Sequence, residues 1–401
     1  MQKVFSSKFR IMLLATAALA MSCGSAMADW NITDLGQGLI SAVAGSINNN
    51  GDVVGRARFS DSTPYHAALW QNGVAYDLGS LHDQSEAHYI SDSGLIVGEA
   101  YANPAINNMY RQAAVFSVGG DPINIHNAMT YNANNSFAAS VGTAGGNVYI
   151  LGQAYDDRIT VDHAIRWTYD AANPANTANT AVDMNPSWAS FSALRKMNSS
   201  GQMVGYAIPT IGTGYERATL WDAAGNASYL HSTGWQSTFA ADINNTGQVL
   251  VQFSNGVNQS FGIWDGTEGT TGLQMISNPL GRETTSASAM NNHGQVVGMA
   301  LTIAHPSGAG DEHAFLWDNG TFIDLGTLLQ GTGWYLTDAY DINDKGQILV
   351  GANQRGFIYG ATTTLLLTPD AAVPTPIPAA LPLFGSGLAF LGVFRRRFFR
   401  A

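Results

Sequence analysis

Six side chains share a place in the sequence that suits ligand chemistry. Counting eight residues back from the Ile or Met of a recurrent Ile/Met-Asn turn gives His82, Ala189 beside Trp188, Trp235, Arg282 and Trp334, with Tyr335 following the last. Indole and phenol rings can stack on the apolar faces of sugars, while imidazole and guanidinium groups donate to hydroxyls and carboxylates. Tryptophans also fill gaps between stacked sheets, so a structural use stands beside the binding one.

Other polar residues point less clearly to chemistry. His66, His163 and His313 occupy one repeat position, where Arg217 and Ser260 also stand. That recurrence predicts a scaffold role, with each His donating to a backbone carbonyl between neighbouring sheets. Asp341-Ile342-Asn343-Asp344-Lys345-Gly346 has the outline of a calcium loop. Lys345 fills a ligand position, however, and the closing Glu is missing. Asp242 to Gly247 has Thr246 at the matching place. Both segments read as hairpin turns, and calcium rests on acidity alone. No metal-ligand set and no other cofactor is expected. The chain has no G-x-S-x-G elbow, H-E-x-x-H helix or phosphate loop. Asp156-Asp157 and Asp311-Glu312 lie in loops, and nothing marks either as an acid/base pair.

Two motifs recur along the chain. One, H-A-x-L-W in form, runs through 66–70, 112–116, 163–167, 217–221, 260–264, 313–317 and 356–360. The other, I-N-x-x-G-x-V-V-G in form, runs through 47–55, 90–98, 197–205, 243–251, 290–298 and 342–351, with a weaker copy at 139–152. Asn-x-x-Gly and Asn-Gly are hairpin turns, and the runs between them are β-branched. Each copy is thus four short strands, and each sheet has two apolar faces to bury against its neighbours. The reading is all-β: a seven-bladed β-propeller of four-stranded blades over 29–368. A parallel β-helix ranks behind it, because its coils lack paired tight hairpins. Trp30-Asn31-Ile32-Thr33-Asp34-Leu35-Gly36 mimics the fourth strand at 322–326. The N-terminal strand can therefore close the ring beside a third strand at Gly356–Tyr359, while Thr363–Leu367 competes for the closing place. The six candidate side chains then sit on the face carrying the variable loops 101–111, 168–181, 207–216 and 301–312, with the tight turns on the other.

These copies resemble the HAF repeats of bacterial extracellular proteins, most closely at His313-Ala314-Phe315. The resemblance covers nearly all of 30–360 and implies an extracellular repeat protein without specifying an activity.

The two ends carry addresses. Lys3, Lys8 and Arg10, the apolar run Ile11–Met21 and Ala26-Met27-Ala28 form a signal peptide over 1–28. Cys23, the only cysteine, could instead be an acylated first residue, but Ala20-Met21-Ser22 is a poor context for that. A Pro-rich linker at 369–378 leads into an apolar segment at 379–401 that ends in Arg395, Arg396, Arg397 and Arg400. Pro376, Ile377, Pro378 and Ala379 with that Arg cluster resemble VPLPA/PEP-CTERM-type sorting signals. The resemblance implies transient inner-membrane anchoring, cleavage by an exosortase-type enzyme of Gram-negative bacteria that make extracellular polysaccharide, and release to the surface or medium. A permanent anchor is the alternative. The stretch between the two ends holds 11 basic and 29 acidic residues. That balance argues against nucleic acid, which is held by Lys and Arg on phosphates.

The sequence thus favours an exported surface or matrix protein that binds or scaffolds and is linked to extracellular polysaccharide, without catalysis. The alternative is a secreted polysaccharide lyase or hydrolase at the channel mouth, for which Arg282, Glu283 and His82 are the only hints. Mass spectrometry of the secreted protein is expected to find Asp29 at the amino terminus and no peptide containing Leu388–Phe394. Recovery of that peptide in the secreted fraction would defeat the cleavage.

Overall fold

Short β-branched runs separated by Gly-containing turns leave the chain little choice but antiparallel hairpins. A computed structural model of the protein describes residues 30–101, 110–126, 135–156, 161–212, 214–230, 234–266, 272–302, 312–329, 332–354 and 363–370. The side chains at 156, 281–284 and 354 lie outside that description. So do the proposed signal peptide and the sorting segment. Among the described residues no helix is long and apolar enough to cross a membrane.

The strands form seven four-stranded antiparallel sheets, a seven-bladed β-propeller within Ile32–Thr368. The inner strands are Ser41–Ile47, Ser85–Ile90, Ser136–Ala144, Ala189–Met197, Ser237–Ile243, Gly281–Met290 and Trp334–Ile342, and we number the blades 1 to 7 by them. Each inner strand touches the next, and blade 7 touches blade 1. The Asn72-Gly73 and Asn319-Gly320 turns have positive φ at both residues, 51° and 79° in the first and 46° and 88° in the second. That is the type I′ geometry whose twist matches a hairpin.

Every inner strand carries a β-bulge at the same register, between Ala44 and Ser46 in blade 1 and between Ala87 and Tyr89 in blade 2, for example. The bulge drives a carbonyl toward the second strand. A Cβ at Gly55, Gly98, Gly152, Gly205 or Gly298 would lie 2.0–2.1 Å from that oxygen. This is why the repeat ends in Gly. Blades 5 and 7 carry Val251 and Val350 at this register instead.

The sheets bury their faces on one another. Val54, Leu69 and Leu78 of blade 1 meet Ala87 and Ile90 of blade 2, and Phe261 of blade 5 stacks on Phe315 of blade 6 at 5.5 Å. Hydrogen bonds fix the register between blades. The Trp70 indole donates to Leu35 O, and the Trp221 indole to Met184 O, both at 2.9 Å, each reaching the end of the preceding blade's outer strand.

On the face with the tight turns, the motif Asn caps its own hairpin and bonds the next blade. Asn343 Oδ1 accepts from Lys345 N and Gln347 N, while its Nδ2 donates to Asn48 O at 2.9 Å. Asn48, Asn198 and Asn291 reach Ser91 O, Asn244 O and Asn343 O in the same way. The following residue adds a second circuit. Ser199 N, Asn245 N, Asn292 N, Asp344 N and Asn49 N donate in turn to Asn245, Asn292, Asp344, Asn49 and Asp92 side chains. The circuit therefore runs from blade 4 through blades 5, 6, 7 and 1 to blade 2.

The ring closes with both terminal strands. The order in blade 7 is Trp30–Asp34, Thr363–Pro369, Ile348–Gln354, Trp334–Ile342. The expected third strand at Gly356–Tyr359 lies outside the described residues, and Thr363–Pro369 holds the place assigned to it. The two segments read as competitors for closure are thus both used. Thr363 Oγ1 donates to Asp34 Oδ1 at 2.9 Å and Leu35 N to Thr364 O at 3.0 Å.

Asn343→Ala strips a buried turn of its cap and removes the inter-blade donor to Asn48 O, which keeps only Gly51 N of its own turn. Urea unfolding is expected to show a loss of about 3 kcal/mol. Ser199→Ala, which keeps its backbone bond, should stay within about 0.5 kcal/mol of the parent.

Candidate functional site

The repeated histidines belong to the blades. His66 Nδ1 lies 3.0 Å from Asp77 Oδ1, His163 Nδ1 3.1 Å from Asp183 Oδ2, and His313 Nδ1 2.7 Å from Asp324 Oδ2. The partner is a carboxylate on the same blade's outer strand, not the inter-blade carbonyl expected from the sequence. Third and outer strands are hydrogen-bonded neighbours, so these two positions lie within reach of one another. The same Asp turns the chain, Asp77 accepting from Gly79 N and Asp324 from Gly326 N. Asp341–Gly346 likewise forms a hairpin turn, with Ile342 paired to Ile348.

Sequence reasoning missed the neck of the channel. The residue just before the motif Ile or Met points inward, and this column includes Tyr89, Lys196, Asp242 and Asp341. They border a cavity of about 370 Å³ that opens among the Asn turns. Lys196 Nζ lies 4.4 Å from the centroid of the Tyr89 ring. Asp242 accepts from Ile243 N at 2.7 Å and from Met290 N of blade 6 at 3.1 Å. Asp341 accepts from Ile342 N and from Ile47 N of blade 1, both at 2.9 Å. Tyr89, Lys196 and Asp341 keep some surface because they border the cavity, whereas Asp242 is 4% exposed. Enclosure alone would strip the Lys196 proton, but Asp242, Tyr89 and Asp341 outweigh it and hold the ammonium pKa above the ordinary lysine value. Enclosure pushes both carboxyls up, and Lys196 with the backbone donors draws them part of the way back. Lys196 of blade 4 thus interacts electrostatically with Asp242 of blade 5 and Asp341 of blade 7 around the cavity. Reading down the column before the motif Ile or Met would have found it.

The opposite face holds the strand beginnings where the candidates named from sequence stand. Of the loops expected there, 168–181 instead joins the third and outer strands of blade 3 and so lies at the end with the tight turns. His82 is exposed. Trp188 lies 4.3 Å from Tyr229, the last residue of blade 4's outer strand, which sets it toward the rim. Trp235 packs on Phe253 at 5.6 Å. Trp334 starts the inner strand of blade 7, and Tyr335 meets His313 edge-on at 5.5 Å. The side chain of Arg282 lies outside the described residues, so its position relative to His82 is not part of the geometry. Among the described residues, Trp188, Trp235 and Tyr335 contact the rings of Tyr229, Phe253 and His313 respectively.

Two grooves open on this face. One, about 240 Å³, runs between blades 4 and 5, lined by Arg195, Tyr206, Glu216, Phe239, Gln252 and Gln259 among others. Tyr206 and Phe239 stand edge-on at 6.4 Å, and Trp235 backs Phe253. The other, about 270 Å³, holds the corresponding place between blades 2 and 3, lined by Glu99, Arg111, Phe137, Gln153, Tyr155 and Asp162. Phe239 pairs with Gln252 as Phe137 pairs with Gln153, so the two grooves share a register. Among the described residues, one group has metal-ligating atoms within 4.8 Å of one another: Glu86, His88 and Glu99.

Asp338, on the inner strand of blade 7, has its pKa pushed up to about 6, by burial first and then by Glu312. Its Oδ1 has no hydrogen-bond partner among the described residues. The fold therefore prefers the protonated carboxyl. That preference is fully present below about pH 4 and is lost as pH rises through 6. Asp338→Asn keeps an acceptor for Ala339 N and removes the charge. Denaturation series are expected to show it level with the parent near pH 4 and about 2 kcal/mol more stable at pH 7.

No family model and no curated protein matches the chain. Among solved structures, it is similar to the β-propeller domain of the Trilobed protease from Pyrococcus furiosus, described as having an open velcro topology. The identity is 12% and the TM-score 0.50, over 82% of this chain and 96% of that one. It is similar too to the acylaminoacyl peptidase of Pyrococcus horikoshii, with 13% identity and a TM-score of 0.51 over 84% of this chain and 52% of that one. The chain thus spans about half the length of that peptidase. At such identity the likeness establishes the propeller fold alone.

Proposed function

We propose that the chain is an exported, surface- or matrix-associated propeller that binds extracellular polysaccharide on its loop face and scaffolds rather than catalyses. The observation that carries this reading is the groove between blades 4 and 5. Tyr206 and Phe239 share its lining with Glu216, Gln252, Gln259 and Arg195, whose guanidinium lies 5.6 Å from the Tyr206 ring centroid, a combination suited to the apolar face and the hydroxyl edge of a sugar. It is built at positions that differ from blade to blade, whereas the repeated residues are engaged in holding blades together. The strong excess of acid over base in the body favours neutral chains, or acidic ones bridged by cations. The HAF-type repeats, the signal peptide and the sorting segment with its exosortase-type partner supply the extracellular address in this proposal.

A glycan array and pull-down with exopolysaccharide test it. The secreted protein is expected to retain a polysaccharide, and Tyr206→Ala or Trp235→Ala to weaken retention by about tenfold, some 1.4 kcal/mol. No retention, or retention indifferent to both substitutions, would overturn the reading.

A further inference from the structure

The seven blades act as controls for one another. A residue type repeated at one register is demanded by the fold, whereas a departure in a single blade is not. At three registers whose residues vary from blade to blade, and which the fold therefore leaves free, blade 2 brings three ligand-type side chains together. Glu86, on the inner strand, stands where other blades carry Val43, Phe137, Ala193, Phe239, Ser286 and Asp338. Its cross-strand partner Glu99 stands where they carry Arg56, Gln153, Tyr206, Gln252, Met299 and Gly351. His88 is the bulged residue, at the register shift between Ala87 and Tyr89. In blades 1, 3, 5 and 6 that place is held by the small residues Gly45, Ala139, Ala241 and Ser288, and in blades 4 and 7 by Arg195 and Tyr340.

The three side chains are set as ligands. Their donor atoms lie within 4.8 Å of one another. His88 Nδ1 is 3.2 Å from Ala138 O of blade 3. A carbonyl oxygen only accepts, so Nδ1 carries the hydrogen and Nε2 presents its lone pair. Metal-binding histidines are held by a carbonyl in this way. Arg56 bonds one oxygen of Glu86, and Arg111 one oxygen of Glu99, each at 2.9 Å. Each carboxylate keeps its other oxygen. The Glu99 side chain is 8% exposed, whereas the two arginines are 41% and 56% exposed and can move with their partners. Glu99 and Arg111 also line the groove between blades 2 and 3, which gives an ion a way in.

We infer that Glu86, His88 and Glu99 form a site for one divalent transition-metal ion, with Zn²⁺ the best match. One imidazole nitrogen and two carboxylate oxygens suit a borderline ion, whereas Ca²⁺ takes six to eight oxygens. Bonds of about 2.0–2.2 Å require the donor atoms to draw together on binding, with the arginines fixing the outer carboxylate oxygens. Three protein ligands leave a fourth position open toward the groove.

Calorimetric titration of the chelator-stripped secreted protein with ZnCl₂ tests the site. One ion per chain is expected, with a dissociation constant on the order of 10 µM or tighter, undisturbed by millimolar Ca²⁺. Glu86→Gln and His88→Gln should each weaken binding by at least about tenfold while leaving the metal-free melting temperature in place. Should His88→Gln disturb folding, the more exposed Glu86→Gln decides alone. Absence of binding, displacement by Ca²⁺, or affinity unchanged in Glu86→Gln would overturn the assignment. None of these outcomes bears on whether the other groove holds sugar.

Discussion

The asparagine after each motif Ile or Met is where local and long-range structure meet. Its carbonyl oxygen gathers two N–H groups of its own turn, and in blades 1, 4, 6 and 7 its amide crosses to the backbone of the next blade. Aspartate has the acceptor without the donor, and glutamine is one methylene too long for the tight cap. The turn and the inter-blade bond are therefore set by one side chain, so each blade's hairpin forms in the shape its neighbour needs. Blade 2 carries Ser91 here, whose hydroxyl caps Leu95 N but lacks an amide to send onward. Blade 3 turns instead through Gly145-Gly146, with Ala144 paired to Asn147. The backbone N–H circuit stops at this place, where the repeat is also weakest in sequence, and the amide circuit lacks a link here as it does between blades 5 and 6.

Blade number, strand pairing and turn type were legible because they rest on local chemistry: β-branched runs, Asn-Gly pairs and a glycine at fixed spacing. The histidine partner was misread because H-A-x-L-W and the Asp-Leu-Gly segment were treated as separate signals. His66 and Asp77, like His313 and Asp324, stand 11 residues apart in chain and side by side in space. The sequence assigns the last third strand to Gly356–Tyr359 and makes Thr363–Leu367 its competitor because Thr363 replaces the motif His and Leu367 the motif Trp. A count of eight residues back from the motif found strand beginnings, but it could not say which side chains face the axis. Trp188 turned toward the rim while Trp235 settled beside a groove.

The bulge explains most of what the sequence hid. Alternation in a strand tells which residues face inward only while its period holds, and here every inner strand slips by one residue near the neck. Lys196, Asp242 and Asp341 lie just past that slip, and His88 lies on it. The same kink makes five glycines obligatory in the neighbouring strand. One local irregularity, repeated around the ring, therefore fixes the repeat's most visible residue and obscures its most chemical ones.

Asp34 and Thr363, which fasten the last blade, are 329 residues apart in the chain. As the protein is synthesised, its first strand emerges with no partner and must wait for nearly the whole propeller. Until then its open edge offers another copy's last blade the same hydrogen bonds as its own, with the tether favouring its own at low concentration. At high local concentration the ring can thus close between molecules, strand for strand, without a single new contact. A device that locks one chain into a circle is, in a crowd, a ready joint for linking circles into chains.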